Sequence, residues 1–151
     1  MSLRVRSTAH RTFEVFVNEI GSWWRPNELF WFTPRGAGRL AFEPRLDGRL
    51  TESYPDGEVF EIGRITVWEP GARLAFTWSQ ASFTPDQLTR VEVRFEPVGD
   101  ETRVTVEHHG WDTVPHDHAA RHGFPDAIFL RRHGEWWQGL LASLARQFER
   151  D

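Results

Sequence analysis

The chain has 151 residues, one domain's worth, and its 22 acidic and 18 basic residues leave a formal charge of -4. Every basic residue is arginine, scattered among the acidic ones, so no clustered positive surface for nucleic acid is expected. The absence of cysteine excludes disulfides and thiolate metal sites; no apolar run reaches the ~18 residues of a membrane span and no signal peptide opens the chain, so a cytoplasmic protein without a membrane partner is expected.

Residues 3–7, LRVRS, alternate and predict a short first strand. Ala9, Phe13, Phe16, Val17 and Ile20 then fall at helical spacing, with Thr8 as N-cap and Gly21 as the stop. Residues 25–37 carry Pro26, Pro34 and Gly36 and read as loop. A run of strand patterns follows: 38–44, 45–54, 58–70, 72–80, 88–98 and 101–111. Asp47-Gly48, Asp56-Gly57 and the segment 98–101 supply the turns between them. Short turns between successive strands predict an antiparallel meander with one wet and one buried face. Residues 115–123 predict a short helix, with Pro115 in its first turn and Gly123 after its end.

From Pro125 a long helix is predicted. Phe129, His133, Trp136, Trp137, Leu140, Leu141, Leu144 and Phe148 form its apolar stripe, and Gly134 weakens it locally by ~1 kcal/mol relative to alanine. The economical packing lays this helix across the concave face of a curved sheet of six to seven strands, leaving an apolar space between them. The eight tryptophans and twelve phenylalanines exceed what a plain core requires, and large rings also line apolar pockets.

Strand parity assigns the faces. Val104, Val106 and His108 point inward, and Thr105, Glu107 and His109 outward. Val91, Val93 and Phe95 point inward, with Arg90, Glu92, Arg94 and Glu96 outside. Leu74, Phe76 and Trp78 share a side, as do Leu50, Glu52 and Tyr54. If Leu50 is buried, Glu52 enters with it and must find a partner or stay protonated. In 58–70, Phe60 and Ile62 have one parity and Ile65 and Val67 the other, so a bulge at Gly63-Arg64 is expected.

The stretches FEVFVNEIGSWW, FEPRLDGRL, DGEVFEIGRITVWEPGARLAFTW and TRVTVEHHGW, in this order before a tryptophan-rich last helix, resemble the SRPBCC or START-like superfamily. Within it the chain looks like the branch named for the activator of the heat-shock-protein-ninety ATPase. Trp23-Trp24, Gly48, Thr77-Trp78 and His108-x-Gly110-Trp111 carry the resemblance most strongly. It implies a single α+β domain over 1–151 with the helix-grip fold, a curved antiparallel sheet wrapped around a long C-terminal helix. It also implies a hydrophobic small-molecule ligand and no cofactor, with no catalytic residue to carry over. The departures are a short first strand, histidine-rich residues 112–124, and Asp47 where glycine is common.

The expected cavity lining is Leu50, Glu52, Tyr54, Phe76, Trp78, Val93, Phe95, Val106 and His108 from the sheet, and His133, Trp136, Trp137 and Leu140 from the helix. Trp24 is expected at a mouth. His108 and Glu52 are the candidate acid/base groups for an aldol cyclisation or dehydration of the polyketide-cyclase kind, or for a hydrolase or lyase. The structural alternative has His108 bonded to backbone and Glu52 paired with an arginine. A zinc site would need three or four ligands at about 2.0–2.2 Å from among His109, His116, Asp117, His118, His122 and His133. A solvated loop and no metal are expected instead. A chaperone activator or other protein-interaction module, needing an exposed patch, is the remaining alternative. Monomer and homodimer both stay open.

Overall fold

The computed structural model describes residues 1–24, 38–79, 89–110 and 126–148. Thr8 opens the first helix as expected. Its side chain accepts a hydrogen bond from the Arg11 N–H, and α1 runs Ala9–Asn18 after the short strand β1, Ser2–Val5. Phe13, Val15, Phe16 and Val17 are the buried stripe of α1.

The break after α1 falls earlier than Gly21. Glu19 leaves helical geometry, and a second short helix, α2, spans Ile20–Trp23 with Gly21 inside it. The glycine is there for closeness rather than for stopping: a Cβ would lie 3.0 Å from the Leu40 carbonyl oxygen. Trp23 Nε1 donates to the Phe16 carbonyl at 3.2 Å and ties α2 back against α1.

Six strands follow: β2 Arg39–Phe42, β3 Arg49–Ser53, β4 Val59–Glu69, β5 Arg73–Trp78, β6 Thr89–Val98 and β7 Glu101–His109. All neighbours pair antiparallel in the order β1-β7-β6-β5-β4-β3-β2. The curled sheet half-encloses α3, Asp126–Arg146. This is the expected helix-grip arrangement, with seven strands.

Two turns differ in kind. Gly57 has φ +89° and closes the tight turn at Tyr54–Glu58. At Asp47-Gly48 the left-handed residue is Asp47, φ 62°, and the connection is a longer loop pinned by the Glu43 N–H to the Arg49 carbonyl. A Cβ on Gly48 would stand 2.0 Å from the Glu43 carbonyl oxygen, so contact rather than dihedral demands glycine there.

The expected bulge in β4 exists one residue earlier than Gly63-Arg64. Leu50 pairs with Gly63 but Thr51 pairs with Glu61, so Ile62 is the extra residue. This buries both Ile62 and Ile65 and turns Glu61 outward. A second shift leaves Thr66 unpaired between Ile65 and Val67. It ends the parity expected for Val67, and Trp68 packs on the core.

The core lies between the concave face, α1 and α2, and α3. His133, Trp137, Leu140, Leu141, Leu144 and Phe148 are buried, while Arg131, Glu135, Gln138 and Arg146 face out. Ser143 is buried too, and its hydroxyl donates to the Trp23 carbonyl, joining α3 to α2. The expected loop 25–37, the helix expected at 115–123 with its histidines, and the side chains of Phe129 and Arg132 lie outside the described residues.

A buried histidine pair among indoles

Parity places His108 inward at the end of β7, beside Val91 of β6. Helical spacing places His133 on the inner face of α3, 3% exposed. The two imidazoles meet, His133 Nε2 to His108 Nδ1 at 3.0 Å. Trp137, one turn further along α3, brings its Nε1 to the same nitrogen at 3.3 Å. On the other side His108 Nε2 is 2.9 Å from Thr89 Oγ1, and that hydroxyl is 2.6 Å from the Trp78 carbonyl oxygen.

These contacts fix the proton positions. The Trp78 carbonyl only accepts, so the Thr89 hydroxyl donates to it and accepts from His108 Nε2–H. His108 Nδ1 is then unprotonated, as the indole N–H of Trp137 requires. His133 must donate through Nε2–H. The result is one chain of donors running from α3 through His108 and Thr89 to a backbone carbonyl.

Charge is excluded from this chain. Loss of water around His108 pushes its pKa well below the ordinary imidazole value, with the neighbouring His133 and His109 adding to the shift. The residue keeps part of its surface accessible, but both ring nitrogens are engaged. Burial lowers the His133 pKa to about 3. Both rings are neutral at neutral pH.

Aromatic rings surround the pair. Trp78 stands edge-on to His108 at 4.7 Å between centroids, and Trp137 at 6.1 Å. From Trp137 the ring contacts continue through Trp24 at 5.4 Å to Trp23, Phe16 and Phe95.

Glu52 is a separate feature. It is buried on β3, 3% exposed. Its Oε1 accepts from the Tyr54 hydroxyl, and its Oε2 accepts from the Gly38 N–H at 3.0 Å. The expected arginine partner is replaced by a phenol from the same strand face. Four strand steps separate β3 from β7, roughly 19 Å measured along the sheet at about 4.8 Å per step. Among the described residues, the partners of Glu52 and of His108 have no member in common.

Of the expected lining residues, Leu50, Phe76, Trp78, Val93, Val106, Trp137 and Leu140 belong to the one buried cluster. Tyr54 is buried beside Glu52. Phe95 also belongs to the core, but its ring packs under α1 against Phe13 and Phe16, at 5.2 and 5.8 Å. Trp24 is 6% exposed and packed between Trp23 and Trp137. Trp136 lies at the edge of the cluster, half-buried. Two contributors were missed, Thr89 and Gly38. Thr89 has the parity of Val91 and Val93, a signal that was present. Gly38 acts through its backbone, which leaves no side-chain signal.

The family model for Activator of Hsp90 ATPase homolog 1-like protein matches residues 7–149. The chain belongs to this family. Txn09, described as an anthrahydroquino-gamma-pyrone synthase complexed with SUM, is 32% identical over 84% of this chain and 87% of its own, with a TM-score of 0.51. Two more distant structures share the fold. Protein MLL2253 from Mesorhizobium loti is 16% identical over 99% of this chain and 96% of its own, TM-score 0.64. The Aha1 dimer from Colwellia psychrerythraea is 14% identical over 99% and 93%, TM-score 0.64. No curated protein matches the chain. Among the described residues no helix is long and apolar enough to cross a membrane. Family and fold are those of a ligand-binding domain, and they leave its ligand unspecified.

Proposed function

We propose that the chain, a single domain over 1–151, binds a planar small molecule of fused aromatic rings, of the polyketide kind, between the inner sheet face and α3. The observation that carries this reading is the neutral His108–His133 pair set among the indoles of Trp78, Trp137 and Trp24. Each edge or offset ring contact to a ligand contributes about 0.5–1.5 kcal/mol beyond the area it buries. Neutral imidazoles donate to carbonyl and hydroxyl oxygens through N–H, and accept from hydroxyls through the bare ring nitrogen, without a charge to desolvate. Txn09, the relative whose name gives a fused-ring aromatic product, supports this ligand class.

A second reading, ring closure of such a molecule, is favoured by that relative being named a synthase. Aldol closure with loss of water requires only proton transfers. His108 is poorly placed as the base, because Nδ1 already accepts from two donors and Nε2–H ends on Thr89. We assign it the positioning of His133, which would meet the substrate. Glu52, held by Tyr54 and Gly38, is a polar contact further along the sheet. We place the protein in the cytoplasm, as a monomer or homodimer.

The test is tryptophan fluorescence during titration with 1,8-dihydroxyanthraquinone, with native mass spectrometry of untagged protein. Saturable quenching with one molecule per chain, weakened at least tenfold by Trp137→Leu, is expected. Quenching that never saturates, together with no retained molecule, would overturn the binding reading. Mass spectrometry of a linear poly-ketone incubated with the protein separates the two readings, since closure removes one water.

A further inference from the structure

A second polar cluster lies on the outer face of the sheet. Glu92 of β6 and Glu107 of β7 are direct cross-strand partners. Like charges facing each other in a sheet repel, and a neighbouring cation relieves them. His109 follows Glu107 by two residues and shares its face. One ligand atom from each of Glu92, Glu107 and His109 lies within 4.8 Å of the other two. His109 Nε2 is 3.1 Å from Glu107 Oε2.

Arginines brace both carboxylates from the sides. Arg73 Nε donates to Glu92 Oε1 at 3.0 Å, and the Arg94 guanidinium donates to Glu107 Oε1 at 3.1 Å. Each brace orients a carboxylate, as hydrogen bonds to metal-ligating carboxylates do, and the second oxygen of Glu107 faces His109. Beside the trio opens a recess of about 440 Å³. His109 belongs to both, and Thr66, Thr77, Thr89, Arg90 and Gly110 also line the recess. It leaves room for water or a small anion.

The geometry points to a divalent-cation site of the zinc type on the outer face, with Glu92, Glu107 and His109 as protein ligands and an open position toward the recess. Ligand atoms around tetrahedral zinc lie roughly 3.3–3.6 Å apart when the metal–ligand distances are about 2.0–2.2 Å. The His109–Glu107 pair, at 3.1 Å, stands a few tenths of an ångström closer than this spacing, and the three ligand atoms lie within 4.8 Å of one another, so small side-chain rotations open the pair and bring in Glu92. The three ligand side chains lie on the sheet face opposite the ligand space proposed above, and Thr89 of the His108 chain borders the recess from β6.

The test is calorimetric titration of the untagged full chain with zinc chloride. The chain has other histidines at 116, 118 and 122, so the titration is repeated on the His116→Ala/His118→Ala/His122→Ala variant. One zinc per chain is expected in both. At least a tenfold loss of affinity is expected in His109→Gln and in Glu107→Gln, with far-UV circular dichroism unchanged. Cobalt in place of zinc should give visible absorption bands that His109→Gln removes. Unchanged affinity in His109→Gln would overturn the site, as would loss of binding in the triple variant or no binding at all.

Discussion

His133 carries a consequence for stability that follows from one number. Burial holds its pKa at about 3, whereas an imidazole in the unfolded chain titrates near 6.5. Between these values the unfolded state binds a proton that the folded state refuses. Stability therefore falls as pH drops below 6.5, with a slope of about 1.4 kcal/mol per pH unit for one proton. His108, the titratable group facing it from β7, is depressed as well and acts in the same direction. Urea denaturation between about pH 7 and pH 5 should show this acid-side slope, and His133→Gln should flatten it. An unchanged slope in that variant would place the refused proton elsewhere. Thr89 gives a second residue-scale expectation. Thr89→Val leaves His108 Nε2–H and the Trp78 carbonyl without their shared partner, a loss of about 1–3 kcal/mol. Thr89→Ser keeps the hydroxyl and should recover most of it in the same denaturation experiment.

At the element scale, β4 shows where pattern stops short. Ile62 and Ile65 are both buried, and alternation cannot bury residues three apart on one strand, so a bulge is demanded by hydrophobicity alone. Its position is not. The register is set by Gly63, whose missing side chain admits the Thr77 carbonyl: a Cβ there would stand 1.7 Å from that oxygen. That contact comes from β5 and is invisible in the sequence of β4. Gly63→Ala must push β4 from β5 or break their pairing, and a loss of more than about 3 kcal/mol is expected from the overlap. Urea denaturation checks it. A loss within about 1 kcal/mol would mean that the strands can part locally at little cost, as ordinary surface changes do. The α1 start illustrates the opposite case. Thr8 caps through its own neighbour Arg11, so the element was readable from local chemistry. Gly21 failed as a stop because α2 packs on β2, a tertiary contact that overrides the local preference.

For the whole molecule, the sheet and last helix were legible because their hydrophobic periods are strong and their turns short. His108 was legible as an inward residue through the parity of Val104 and Val106. The meeting of His108 with His133 was not, because it joins β7 to α3 across 25 residues, and nothing in either period sets their relative height. The same holds for Glu92 and Glu107, whose opposition needs the register of β6 on β7. One consequence belongs to the assembled layers alone. A ligand held between sheet and α3 binds the folded state only, so saturation at a hundred times its Kd adds about 2.7 kcal/mol of stability. That gain should be spatially selective. Among the described residues, hydrogen bonds from α3 run to β7 through His133 and Trp137, to α2 through Ser143 and to β1 through Gln138, so local opening of α3 exposes the space and releases the ligand. Hydrogen exchange with saturating 1,8-dihydroxyanthraquinone should slow most in α3 and in β5 to β7, and least in β2, which lies at the far edge of the sheet. Slowing confined to α1 and the β4–β5 turn would instead put the molecule in the outer groove lined by Phe13, Val17, Pro44 and Trp68, and the inner site would have to be given up.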